Sequence, residues 1–195
     1  MPIVTALREV RGRVAVELDG APWRTLPPEA VLEARLAVGR ELDRSCARAL
    51  ARALRRQRAE SVALRALARH DRSRASLDAR LAGAGVAAAE RQHVLGRAER
   101  SGLVDDARFA ATRAHQLAER GAGDLLVLAD LERQGVDEHV ARDAVVALDP
   151  EADRAARIIA RRGATPQTLR YLASRGFGEE ALEAFVADIE SGALG

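Results

Sequence analysis

The sequence predicts an all-α protein built from tandem three-helix repeats and preceded by a small N-terminal β-hairpin extension. From Asp43 onward, apolar residues recur every three or four positions, as they do along one face of an α-helix. A short apolar helix closed by a glycine occurs three times in this part of the chain, which is typical of stacked helical units. Residues 1–43 differ, because apolar and polar residues alternate there as they do in a β-strand.

The N-terminal extension is predicted to contain two strands and one short helix. The alternation covers residues 13–18, and Asp19-Gly20 provides a turn before a second strand at residues 21–26. Pro22 places that second strand at a sheet edge, because proline has no N–H to donate. A short helix is expected at residues 29–36. Since an isolated hairpin is only marginally stable, we expect it to pack against another part of the chain.

A basic helical segment and the first helical unit are predicted over residues 44–104. Asp43 can cap the first helix. Cys46 and Leu64 are among the apolar residues that fall on one side of it, with arginines on the opposite half. Polar residues interrupt the apolar side near residues 58–61, so we expect two consecutive helices with a break or kink there rather than one long rod.

Three copies of one pattern define the repeats. In each copy a helix ends at a glycine that can adopt the left-handed conformation, namely Gly85, Gly135 and Gly176, and an apolar residue follows. The second and third three-helix units are accordingly predicted over residues 105–149 and 150–195. The copies themselves are residues 77–86, 127–136 and 168–177.

The charge of the chain is unevenly distributed. All 31 basic residues are arginines. Residues 44–100 hold 14 arginines and five acidic residues, whereas residues 101–195 hold 11 arginines and 17 acidic residues. This asymmetry predicts a polyanionic or acidic partner for the middle of the chain, since guanidinium groups suit phosphate and carboxylate oxygens. The candidate partner-binding or DNA-binding residues are Arg48, Arg52, Arg55, Arg56, Arg58, Arg65, Arg69, Arg72 and Arg74.

No constellation in the sequence indicates an enzyme, and we expect no catalytic residue, cofactor or metal site. The four histidines lack metal-ligand spacing, and the single cysteine, Cys46, excludes an internal disulfide and a multi-thiolate site. Aromatic residues make up 3% of the chain, which disfavours modules that stack nucleic-acid bases. No apolar stretch approaches the roughly 20 residues that span a bilayer. We therefore expect a soluble cytoplasmic protein without membrane contact.

Three segments carry a family resemblance, which covers about residues 44–190. Residues 66–81 (ALARHDRSRASLDARL) resemble the opening motif of the RecX family. Residues 101–110 (SGLVDDARFA) look like its second signature, and residues 131–136 (LERQGV) follow in the same order. We interpret nine residues of these segments and of the repeats as motif residues with a structural role. They are Ser73, Leu77, Leu81, Gly85, Asp105, Asp106, Phe109, Leu131 and Gly135.

The resemblance implies an elongated, curved array of three-helix units and a non-enzymatic regulator of homologous recombination and DNA repair. RecX-like proteins modulate the RecA recombinase, usually by binding in the groove of its nucleoprotein filament, and inhibition is the effect expected here. The implied partner is the RecA filament, with weaker binding to single-stranded or double-stranded DNA, and the protein is expected to be a monomer. Two alternatives stay open, namely a direct DNA-binding protein with a basic arginine face and a general helical-repeat scaffold that binds peptides.

Overall fold

The computed structural model describes residues 1–190, and at residues 184 and 187–190 it describes the backbone alone. The described chain is mostly helical and carries a small N-terminal antiparallel sheet, which confirms the predicted fold class. The strands are β1 (Val4–Val10), β2 (Arg13–Leu18) and β3 (Ala21–Leu26). The helices are α1 (Pro28–Glu33), α2 (Arg44–Leu67), α3 (Arg74–Gly83), α4 (Ala88–Arg100), α5 (Asp106–Glu119), α6 (Asp124–Arg133), α7 (Glu138–Val146), α8 (Glu151–Arg162), α9 (Pro166–Ser174) and α10 (Glu179–Glu190).

The chain divides into two compact units. Unit 1 comprises residues 1–69 and 80–97, and unit 2 comprises residues 70–79 and those from 98 onward. In unit 2, α5–α7 surround one apolar core and α8–α10 surround another. The predicted segment boundaries after residues 43, 104 and 149 stay a prediction.

The N-terminal sheet has three strands rather than the predicted two. The hairpin of β2 and β3 forms as expected, with Leu18 opposite Ala21 across the turn. A third strand, β1, pairs antiparallel with β2 through a turn at Arg11-Gly12, where both residues have positive φ. The sequence pattern missed β1 because the register shifts between Val4 and Ala6, and such a bulge breaks the alternation on which strand prediction depends.

The sheet shares an apolar core with α1 and the first half of α2, as the marginal stability of an isolated hairpin requires. Val4, Val16 and Leu26 from the three strands share a core with α1 and with Cys46 and Leu50 of α2. Cys46 is buried, which agrees with its interpretation as a small apolar residue, and its backbone N–H donates to the side chain of the N-cap Asp43 over 2.6 Å.

Helix α2 is continuous for 24 residues, so the predicted break near residues 58–61 is wrong. The buried residues in its first half include Cys46 and Leu50, whereas those in its second half include Ala59 and Ala63. At 100° per residue these two sets lie about 140° apart around the helix axis. The apolar side is therefore not interrupted but replaced by a second one, and Leu64, on the first side, is 56% exposed.

The predicted repeat residues occupy the expected positions. Leu77, Leu81 and Leu131 are fully buried, and Phe109 packs partly buried against the α5–α7 core. The glycines that close the three copies all have positive φ, with values of 74° at Gly85, 71° at Gly135 and 81° at Gly176. The helix-closing role predicted for them is confirmed.

Gly135 also makes a close approach, and this yields a stability prediction. A Cβ built on Gly135 would overlap the Cβ of Ala75, whereas one built on Gly85 would meet no atom within 4 Å. Gly85→Ala should cost about 1–2 kcal/mol through backbone strain alone. Gly135→Ala should cost about 1–3 kcal/mol more, because it also overpacks the contact. Urea denaturation followed by circular dichroism compares the two variants, and equal costs would contradict the close approach.

Candidate functional site

The arginines of α2 form the most prominent charged surface in unit 1. We call Arg48, Arg52, Arg55, Arg56, Arg58 and Arg65 the arginine face. All of them except the partly buried Arg56 are exposed. The helical rise of 1.5 Å per residue places the first and last members roughly 25 Å apart along the axis. The continuity of α2 thus holds these guanidinium groups on one rigid rod.

Part of the arginine face is neutralised within unit 1. Arg55 Nε donates to a carboxylate oxygen of Glu90 over 2.9 Å, and this hydrogen bond lowers the pKa of Glu90. Arg56 lies 3.7 Å from a carboxylate oxygen of Glu33. In a further pair between the second half of α2 and α4, Arg97 contacts Glu60 at 2.6 Å.

The other four members of the arginine face have no such partner. Within the described residues, no carboxylate oxygen lies within 4.0 Å of Arg48, Arg52, Arg58 or Arg65. Arg69, which follows the end of α2, is exposed and likewise has no carboxylate partner among the described side chains. Exposed, unneutralised guanidinium groups retain their forked donors for an external phosphate or carboxylate.

Arg72 and Arg74 lie in unit 2 and are engaged there. Arg74 Nε contacts a carboxylate oxygen of Glu99 at 2.7 Å, and Arg72 donates to the hydroxyl of Ser76 over 3.4 Å. Both residues are partly buried. A binding role for Arg72 and Arg74 stays a prediction, and their contacts serve the start of α3.

The motif residues of the middle of the chain meet at one place, which we call the first junction. The hydroxyl of Ser73 accepts from Ser76 N–H over 3.0 Å and donates to the carbonyl oxygen of Gln134, the residue before Gly135. The backbone N–H of Arg74 donates to Asp106 over 2.7 Å. The neighbouring Asp105 has a different task, because its carboxylate caps α5 by accepting from Arg108 N–H over 3.0 Å.

Unit 2 contains a second junction of the same design, which sequence reasoning missed. The backbone N–H of Asp124, at the start of α6, donates to Glu151 over 2.6 Å, as that of Arg74 does to Asp106. A Cβ built on Gly123 would overlap the backbone of Gly176, which closes α9 as Gly135 closes α6. The available signal was the acidic first residue of α5 and of α8, 45 positions apart.

A buried carboxylate adds a charged cluster to the α5–α7 helices. Asp130 is buried on α6 and accepts from Arg113 over 2.8 and 3.1 Å in a bidentate pair. Arg133 adds a third hydrogen bond of 3.0 Å. The hydrogen bonds from Arg113 lower the pKa of Asp130, with a smaller contribution from the charge of Arg133.

One cleft in unit 2 has two pairs of charged groups on its walls. It has a volume of about 550 Å³ and lies between α5, the loop after α7, and α8. Arg157 contacts Asp149 at 2.8 Å and His115 lies 3.3 Å from Glu119. Arg161, also on the wall, is exposed and has no carboxylate partner among the described residues. Among the described residues there is no group of three side chains suited to a metal ion, and no helix is long and apolar enough to cross a bilayer.

The fold and these surfaces define a helical protein with glycine-closed repeats and a basic helix. The chain is 37% identical over 127 residues to the regulatory protein RecX of Chromohalobacter salexigens, covering 60% of this chain and 84% of that relative. It therefore belongs to the RecX family. The regulatory protein RecX of Mycolicibacterium smegmatis is 35% identical over 102 residues, which are 51% of this chain and 54% of the relative. A search against family models found no match.

Two solved structures share the fold. A crystal structure of a regulatory protein RecX superimposes with a TM-score of 0.80 at 21% identity, covering 96% of this chain and all of that one. The structure of RecX from Lactobacillus salivarius gives a TM-score of 0.62 at 14% identity over 71% of this chain and 98% of that one. The small N-terminal sheet and the helices thus form a RecX-like fold.

The lowered pKa of Asp130 predicts a pH-dependent contribution to stability. Because the folded-state pKa lies below the usual value of about 3.9, the ionised form stabilises unit 2 above that value, and the benefit is lost as pH falls through the folded pKa. Asp130→Asn should cost about 1–3 kcal/mol at pH 7 and progressively less below pH ~4. Urea denaturation at both pH values checks this. Asp143→Asn, at an exposed position on α7, is the control and should change little at either pH.

Proposed function

We propose that the protein is a non-enzymatic cytoplasmic regulator that binds the RecA–DNA filament and inhibits RecA activity. Membership of the RecX family supports the regulatory class and makes the recombinase the expected partner. The observation that carries the proposal is the set of unneutralised arginines on α2, namely Arg48, Arg52, Arg58 and Arg65. A nucleoprotein filament offers phosphate groups and protein carboxylates, and guanidinium groups bind each of them.

Counterion release gives the arginine face a measurable signature. Each phosphate contact displaces condensed cations, so the affinity for a nucleoprotein filament should fall as salt is raised. The rigidity of α2 should raise the affinity itself, because side chains mounted on one helix lose little backbone freedom on binding. We therefore expect a filament affinity that depends strongly on salt, with the four unneutralised arginines responsible for most of the dependence.

Direct DNA binding is the second candidate function, and the same arginines favour it. Phosphate contacts from arginine do not distinguish a bare strand from a coated one. The two functions differ in what RecA adds. A filament regulator should bind RecA-coated single-stranded DNA much more tightly than bare DNA, whereas a DNA-binding protein should bind both alike or lose affinity on coating.

Charge reversal on the arginine face tests the proposal. The triple variant Arg48→Glu, Arg52→Glu and Arg58→Glu should weaken binding to RecA-coated single-stranded DNA by about tenfold or more in low salt. The plot of log affinity against log salt should also become less steep, its negative slope shrinking in magnitude by about 2. Roughly 0.7 of a counterion is released per contact with a single strand, and the variant removes three contacts. Fluorescence anisotropy of labelled filaments at several salt concentrations measures both quantities.

A matched control distinguishes an effect of this surface from an effect of the net charge. Arg100, Arg120 and Arg170 are exposed, lie outside α2 and have no carboxylate partner among the described residues. Reversing these three to glutamate changes the net charge equally and should leave most of the filament affinity intact. Circular dichroism confirms the fold of both variants. Equal losses in the two triple variants, or no loss in either, would refute a specific role for the arginine face.

A further inference from the structure

A second surface, in unit 2, has the character of a protein-docking groove. It lies on the outer side of α6 and α7 and has a volume of about 510 Å³. Five of its eight lining residues are apolar, and they include Leu128, Ala129, Val136 and Ala141. Leu125, also in the lining, is 61% exposed and extends this apolar surface toward solvent.

The segment that forms this groove has more carboxylates than arginines. Residues 124–149, which contain α6 and α7, hold seven acidic residues and two arginines. Glu132 lines the groove, is exposed and has no cationic partner among the described residues. The other lining carboxylate, Glu138, is paired with Arg142. The unpaired carboxylate of Glu132 beside an apolar surface favours a ligand that is both apolar and cationic.

The shape of the groove favours a helix over a strand. Both walls are α-helices, and every lining residue belongs to α6, α7 or the turn between them. The described part of unit 2 contains no β-strand whose edge an extended peptide could join. A third helix that lays an apolar stripe between two helices is a common mode of recognition, with anchors at positions i, i+3, i+4 and i+7.

We propose that the α6–α7 groove docks a basic amphipathic helix of the protein component of the RecA–DNA filament. The helix places apolar side chains on Leu125, Leu128 and Ala141 and a lysine or arginine near Glu132. This inference rests on the proposed function and goes beyond it by adding a contact that requires protein rather than nucleic acid. The arginine face then binds anions and the groove binds the recombinase itself.

A double variant in the groove tests the inference. Leu125→Arg with Glu132→Arg introduces a charge onto the apolar surface and reverses the sign of the charge at position 132. Both positions are exposed and should tolerate arginine in the fold. The control is Leu103→Arg with Glu119→Arg, which makes the same chemical changes at exposed positions of unit 2 outside the groove. Binding of each variant is measured by anisotropy on bare single-stranded DNA and on RecA-coated strands, and by pull-down on RecA without DNA.

Relative to the control, the groove variant should bind RecA-coated strands and DNA-free RecA about tenfold or more weakly, with bare-DNA affinity unchanged. Equal binding of groove variant and control to the filament would overturn the groove assignment and leave the proposed function standing. Failure of the wild-type protein to bind the filament would overturn the proposed function, and this inference with it. A selective loss of bare-DNA binding would overturn the inference in favour of a nucleic-acid site. Sedimentation that shows wild-type self-association abolished by the groove variant would instead make a second copy of this chain the occupant.

Discussion

The N–H groups at the start of an α-helix have no acceptor within the helix, and a buried helix start must find one elsewhere. In unit 2 the acceptor is twice a carboxylate from the first residue of a later helix. Asp106 accepts from Arg74 N–H, and Glu151 accepts from Asp124 N–H. A carboxylate suits this place because it neutralises the positive end of the helix dipole. The first of these hydrogen bonds ties the start of α3 to α5, and the second ties the start of α6 to α8.

At each junction a glycine allows the two segments that meet there to lie close together, beside the hydrogen bond from the helix start to the carboxylate. At the first junction Gly135 leaves room for Ala75, and at the second Gly123 lies directly against the backbone of Gly176. Glu151 strengthens the second junction, since its other carboxylate oxygen accepts from Gly178 N–H over 3.2 Å. At the second junction the backbone N–H of Gly123 donates to the carbonyl oxygen of Arg175 over 2.9 Å, whereas at the first junction the Ser73 hydroxyl donates to that of Gln134.

The signature segments therefore organise helices and leave the helix surfaces to bind partners. Ser73 and Asp106 are occupied by contacts inside unit 2, and Leu77 and Leu131 are buried. The surfaces with unsatisfied chemistry are the arginine face of α2 and the α6–α7 groove, whose lining includes Glu132 and Val136 of the third signature segment. One is cationic and the other is acidic and apolar, so the proposed partner must offer two chemically different surfaces, as a protein–DNA filament does.

Local chemistry made the helices and their ends predictable from the sequence. Asp43 caps α2 as expected, and the closing glycines have positive φ, because caps and left-handed turns depend on a few adjacent residues. Tertiary contacts decided the rest. Helix α2 buries different sides in its two halves, which a single apolar stripe in the sequence does not reveal. The neutralisation of Arg55 depends on Glu90, which lies 35 positions away in the chain.

Amide hydrogen exchange tests the repeated junction most directly. First-turn amides normally exchange fast, and those of Ala107 and Ala152 have no acceptor in the described part of the chain. The amides of Arg74 and Asp124 should exchange slower than these by about two orders of magnitude or more, as hydrogen-bonded amides do. Asp106→Ala should speed the exchange of the Arg74 amide and leave the exchange of the Asp124 amide slow. Exchange at Arg74 and Asp124 as fast as at Ala107 would contradict the proposed organisation of unit 2.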